Sequence, residues 1–157
     1  MSQAVHPQSE PDPNAARAVW MAALAQAAPA ALALVVDTLG DTPPHVWLRR
    51  PERGAVMVRG RAGGTGAAFN LGEMSVTRCA LTLPCGAVGH AYVPGRDADH
   101  ATRAALCDAL LQTDMAGQVE AQVLAPLRAA ADAAARARAG RADSAKVDFF
   151  TMVRGED

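Results

Sequence analysis

The run Arg59-Gly60-Arg61-Ala62-Gly63-Gly64-Thr65-Gly66 combines two arginines with a glycine-rich loop. Exposed backbone N–H groups and arginine forks both bind the oxygens of a phosphate, so Arg59, Arg61, Gly63, Gly64, Thr65 and Gly66 are candidate anion contacts. The same glycines serve a plain turn equally well, because turns need a positive φ. The loop is not a P-loop, since Gly66 is followed by Ala67 where that motif has Lys and Ser/Thr. Nor is it a dinucleotide fingerprint: its flanks read as antiparallel strands and no helix follows. Arg78 shares one strand parity with Met74, Val76 and Ala80. An arginine in an apolar set is costly to bury unpaired, so it calls for a ligand, a partner chain or a carboxylate such as Glu73 or Asp97. Arg96, Asp97 and His100 cluster at a helix start. Arg96 and His100 are one turn apart, and the helix terminus adds a positive field; the plainer reading is capping by Asp97 beside a surface histidine. His45 and His90 lack ligand partners at metal spacing, so no metal site is expected. No Ser/His/Asp or Cys/His arrangement is visible, and Glu73 and Asp97 form no acid/base pair.

These residues belong to a chain of 157 residues, a length that fits one domain with a substantial core. Half of the residues are hydrophobic, much of that is alanine, and only 4% are aromatic. Helices packed through small side chains are therefore expected. The net charge of −1 argues against binding nucleic acid by bulk charge. The charge is nevertheless uneven. Residues 46–96 hold seven arginines against Glu52 and Glu73, a net of +5, which leaves −6 for the remainder. Every basic residue except Lys146 is arginine, the side chain suited to bidentate anion recognition. Cys79, Cys85 and Cys107 are odd in number and show no C-x-x-C spacing, which fits a reducing cytoplasm better than a disulfide framework or zinc site. Glu10 and Asp12 do not suit a signal peptide. Residues 19–36 carry no charge, but the alanines, Gln26 and Pro29 favour two buried helices over a membrane span.

The elements follow from periodicity. Residues 1–13 read as a flexible tail and 14–157 as a single domain, with Asn14 as first helix cap. Val19, Trp20, Ala23, Leu24 and Ala27 form one helical stripe; Leu32, Val35, Val36 and Leu39 form a second, opened by Pro29 and stopped by Gly40. Residues 46–49 and 55–58 read as two short strands joined by a turn at Pro51-Glu52-Arg53-Gly54. A longer strand, from about Phe69 to Leu83 and bulged near Gly72, then turns at Pro84-Cys85-Gly86 into residues 87–93. Asp97 starts a helix bearing Ala101, Ala105, Leu106, Ala109 and Leu110. A last helix from about Gly117 carries Val119, Val123, Leu127 and Ala130, kinked or split at Pro126. The expected fold is α+β: an antiparallel sheet of four to five strands with N-terminal and C-terminal helices packed on it. Residues 147–153 read as an extended segment whose Phe149, Phe150 and Met152 either join the protein's own sheet or, with Arg154, form an interface to another subunit.

The loop Arg61-x-Gly63-Gly64-Thr65-Gly66, the pair Thr77-Arg78, Gly95-Arg96-Asp97 with His100, and the ending Val147-Asp148-Phe149-Phe150-Thr151-Met152-Val153-Arg154-Gly155 occur in this order in PhnG. Trp20-Met21 also fits that family's opening, so the chain resembles the PhnG family from about Ala16 onward. The resemblance implies a subunit of the bacterial carbon–phosphorus lyase system, partnered by PhnI, PhnH and PhnJ and functionally by PhnL. In the step it implies, ATP loses adenine and a phosphonate such as methylphosphonate takes its place at ribose C1, giving α-D-ribose 1-methylphosphonate 5-triphosphate. PhnI is then the subunit with nucleosidase chemistry and PhnJ the one with the iron–sulfur radical cleavage. This chain would be an accessory subunit with no cofactor of its own, ATP being a substrate of the complex, and with neither nucleic acid nor membrane as partner. One alternative is an independent phosphate- or nucleotide-binding enzyme using Arg61, Arg78, Arg96 and His100. Another is a scaffold whose arginines pair only across subunit contacts.

Overall fold

A computed structural model describes residues 13–144; of the expected tail at residues 1–13, all but Pro13, which begins the first helix, lie outside the described residues, as does the C-terminal segment with Phe149, Phe150, Met152 and Arg154. Two short helices open the described chain, α1 (Pro13–Gln26) and α2 (Pro29–Asp37). Pro29 sits in the first turn of α2, where its missing N–H costs nothing. Leu32, Val36 and Leu39 are buried as the second stripe requires. The first stripe is rotated from expectation. Leu24 is buried and Trp20 half-buried, but Val19 points to solvent. Helix α1 starts at Pro13, so Asn14 lies inside its first turn and not before it. The two helices bend by 112° at their junction, and no single helix among the described residues is long and apolar enough to cross a membrane.

The sheet departs from expectation. Among the described residues it has three strands in the order β1-β2-β3, all antiparallel, and not four or five. Strand β1 runs unbroken over Val46–Arg61, so the two short strands expected at 46–49 and 55–58 are one. Pro51 does not end it because β1 is an edge strand, where a missing N–H can face away from the ladder. Register shifts around Arg49 and Glu52 absorb the irregularity. Strand β2 (Ala68–Thr82) pairs with β1 along its length and with β3 (Val88–Pro94) over residues 76–82. Gly86, at φ 89°, makes the turn between them.

One sheet face is covered by helices. Thr77, Cys79 and Leu81 of β2 and Gly89, Ala91 and Val93 of β3 are buried beneath α3 (Ala98–Leu110). The fit is close: a Cβ on Gly89 would come within 1.9 Å of the Ala105 carbonyl oxygen. Asp97 caps α3, its side chain accepting from the amides of Asp99 and His100 at 2.9 Å each. The closing helical stretch comprises α4 (Ala116–Val119), a π-helical turn at Glu120–Leu124, and α5 (Ala125–Ser144). The wider turn immediately precedes Pro126, whose ring would clash with the Gln122 carbonyl in a regular helix. Val123, Leu124 and Leu127 bury against α1 and α2, Val119 is buried in α4 beside α3, and Ala130 is exposed.

Asp108 of α3 joins these layers. It is fully buried, and its carboxylate accepts from Arg17 Nε at 3.1 Å, Arg17 Nη2 at 2.7 Å, Trp20 Nε1 at 2.8 Å and the His90 amide at 2.9 Å. Arg17 Nη2 also donates to the Val88 carbonyl at 3.0 Å, as does Gln112 Nε2 at 2.8 Å. The free edge of β3 is thus tied to α1 and α3 by side chains. Two consequences are measurable by thermal or denaturant unfolding. Asp108→Ala leaves the Trp20 and His90 donors and Arg17 without their acceptor, and should cost about 3 kcal/mol. Gly89→Ala should cost about 2 kcal/mol or more, because the atom it meets is backbone and cannot swing aside.

Candidate functional site

Strand β3 ends at Pro94, opposite Val76, but β1 and β2 continue beyond it. Residues 55–61 and 68–75 therefore form a two-stranded ribbon projecting about 20 Å at ~3.3 Å per residue. The glycine-arginine loop is its tip. The tip is closed on itself. Ala62–Gly64 make a 3₁₀ turn with Gly63 at φ 59° and Gly64 at φ 79°, angles that favour glycine. The amides of Thr65 and Gly66 both donate to the Ala62 carbonyl, and Arg61 Nη1 donates to the Gly66 carbonyl at 3.1 Å. Arg59 is exposed on the strand below.

The ribbon has two unlike faces. On one, Val56 opposes Met74 and Val58 opposes Gly72. The register then slips by one residue at Leu71, so Arg59 pairs with Asn70 and Gly60 with Phe69. Leu71 folds over Gly60, where an added Cβ would meet its Cδ1 at 2.4 Å and the Phe69 ring at 3.9 Å. The bulge thereby keeps Val56, Val58, Phe69, Leu71 and Met74 on a single face. Met57, Glu73, Arg59, Asn70 and Arg61 fall on the other. The apolar face continues the sheet face that no described helix covers, where Arg78 lies opposite both Glu52 and Tyr92.

Arg78 is half-exposed there and donates to Glu52 at 2.5 Å; Arg49 donates to the same carboxylate at 2.5 Å. Hydrogen bonds from Arg49 and then Arg78 hold the Glu52 carboxyl below its usual range. The partner is thus neither Glu73 nor Asp97. Glu52 had the look of a turn residue, and only continuous pairing of β1 brings it opposite Arg78. Arg53 Nε donates to the Arg96 carbonyl at 2.9 Å, tying the base of the ribbon to the start of α3. Arg96 itself is exposed. His100 is not: it is 2% exposed, and its Nε2 lies 2.9 Å from the Leu24 carbonyl. Arg96 and His100 therefore do not converge on one surface point. Asp97 is spent as a cap, its carboxyl held low first by the His100 amide. Arg17 and Asp108 went unnoticed in the sequence, since their partnership spans 91 positions.

No trio of His, Cys, Asp or Glu among the described residues is placed to hold a metal ion. At the other end of β2 lies an apolar groove of about 620 Å³, lined by Pro43, Leu83, Pro84, Cys85, Leu110 and Met115 among others. Cys85 is exposed, whereas Cys79 and Cys107 are buried. Burial pushes the Cys79 thiol up to about 11 and the Cys107 thiol up to about 12. Near neutral pH a thiol reagent should label Cys85 alone in the native protein and all three cysteines after unfolding. The buried pair also sets a direction for alkaline stability. Both folded values lie above the ordinary 9.0, so their stabilisation is complete below that pH and is lost as pH rises towards 11 to 12. A Cys107→Ala chain should show a shallower alkaline fall in Tm than the parent.

The family profile described as "Phosphonate metabolism protein PhnG" matches residues 15–155. A curated relative in Rhizobium meliloti (strain 1021), alpha-D-ribose 1-methylphosphonate 5-triphosphate synthase subunit PhnG, is 45% identical over 147 residues, covering 91% of this chain and 92% of the relative. With the profile spanning nearly all of the described fold, from α1 through the ribbon to α5, the chain belongs to the PhnG family.

Proposed function

We propose that this chain is an accessory subunit of α-D-ribose 1-methylphosphonate 5-triphosphate synthase, acting in the cytoplasm in a complex with PhnI, PhnH and PhnJ and functionally with PhnL. The complex converts ATP and a phosphonate, methylphosphonate for example, into the ribose triphosphate product and adenine. This chain holds no cofactor and contributes surface and rigidity to the assembly. The observation that carries the reading is its 45% identity, over nearly the full length of both chains, to a synthase subunit.

The geometry supports an accessory role. Arg17, Arg53, Arg61 and Arg78 all bond to groups of their own chain. Arg61, Arg78 and His100 occupy the tip, the open face and the buried helix layer respectively, which gives an independent nucleotide enzyme no common pocket. In the assembled synthase, Arg59, Arg61, Gly63, Gly64, Thr65, Gly66, Arg78 and Arg96 are proposed as contacts to a neighbouring subunit or to an anionic substrate group beside it. The C-terminal residues Phe149, Phe150, Met152 and Arg154 are proposed as a second interface.

Co-expression with PhnI, PhnH and PhnJ tests the assembly. The chain should co-purify with them in constant ratio, and elution alone as a monomer would overturn the role. Calorimetry on the isolated chain with ATP should give no heat of tight binding. A micromolar site abolished in Arg61→Ala would favour the independent enzyme instead.

A further inference from the structure

We infer that the sheet face that no described helix covers, extended along the apolar side of the ribbon, is the surface on which a chemically different subunit of the synthase docks. This rests on the subunit reading above and assigns it a place.

The surface is contiguous. Phe69, Leu71 and Met74 line the ribbon and are 47%, 63% and 41% exposed, with Val56 and Val58 beside them; Tyr92 of β3 extends the strip onto the body at 49% exposure. Exposed aromatic, Leu and Met side chains in one strip mark an interaction surface, unlike scattered single residues. A two-stranded ribbon is also marginal in water without cover on a face. The bulge at Leu71 adds a specific observation. It breaks the alternation of β2 at the one place where Phe69 would otherwise join the arginine side. Sequence and backbone irregularity thus combine to hold one apolar face, which a ribbon meant only for solvent would not require.

Charge selects the occupant. In the middle of this face, Arg49 and Arg78 share the single carboxylate of Glu52, leaving one positive charge in excess. Arg59 and Arg61 lie on the opposite side of the ribbon, so this excess is set by Arg49, Arg78 and Glu52. A second copy docked face to face would set this excess against itself, and like charges across an interface oppose association. The matching partner is an apolar surface bearing a carboxylate opposite Arg78.

The full chain with Phe69→Asp and Leu71→Asp together, co-expressed with the other subunits, tests this. Its affinity for the complex should fall about 100-fold or more, as for the loss of central apolar contacts, while the isolated chain keeps its circular dichroism and melting temperature because both residues are exposed. Leu34→Asp, 71% exposed on α2, should assemble like the parent. Tyr92→Asp provides a second probe on the body of the sheet, should the ribbon variant fold poorly; it should weaken assembly in the same direction. Arg78→Glu should weaken assembly as well. Normal assembly of the ribbon and Tyr92 variants would overturn the inference. So would an isolated chain that is dimeric in sedimentation and made monomeric by the ribbon variant while the complex still forms; the occupant would then be a second copy. If the parent and Leu34→Asp chains both fail to assemble, the subunit reading itself falls, a result separate from either of these.

Discussion

Four hydrogen bonds to one buried carboxylate hold this fold together. Asp108 enters from α3, Arg17 and Trp20 from α1, and the His90 amide from β3. A sheet of three strands has two edges, and an unpaired edge invites another strand. Among the described residues no fourth strand pairs with β3, and the Asp108 cluster satisfies the His90 amide and the Val88 carbonyl on its edge with side chains. A buried carboxylate pays its desolvation through the arginine and the neutral donors around it. Because Arg17 is partly exposed, the ion pair keeps some contact with water at its outer side. Asp108 thereby links both helical elements to the β3 edge across the apolar core.

With the helices committed to one sheet face, the chemistry-bearing residues divide. His100 and Asp97 go to the helix side, as a buried hydrogen-bond partner of Leu24 and as a cap. Arg49, Glu52 and Arg78 go to the open side, and Arg61 stabilises its own turn at the ribbon tip. Residues that looked like one anion-binding set in the sequence are separated by the thickness of the sheet. This division suits a protein that works through its surfaces inside an assembly.

What could be read in the sequence was local. Helix stripes such as Leu32, Val36 and Leu39, the cap at Asp97 and the bulge near Gly72 are short-range patterns, and each matches the structure. Pro51 misled because proline and glycine next to charged residues look like a turn; an edge strand tolerates the same residues, and edge position is a tertiary property. Arg78 reads in the sequence as needing a carboxylate, a ligand or a partner chain, but Glu52 could be identified as its partner only with the register of β1 against β2 in hand. His100 looked exposed because it follows a cap. Its burial depends on α1 crossing over α3, which no window around residue 100 contains. Family membership was legible for a different reason, since a set of motifs in fixed order needs no knowledge of what touches what.

The single slipped residue at Leu71 also sets a rule for how this family can vary in length. Side chains on a strand alternate with period two, so one residue inserted or deleted between the bulge and the tip would turn Phe69 towards the arginine side. Two residues in each strand would preserve the labelling and merely lengthen or shorten the ribbon by about 7 Å. Even-numbered changes are thus neutral to which side is apolar, and odd-numbered ones need a second bulge to compensate. The ribbon behaves as a ruler with a printed side, whose length can change in such paired steps while its apolar side stays fixed.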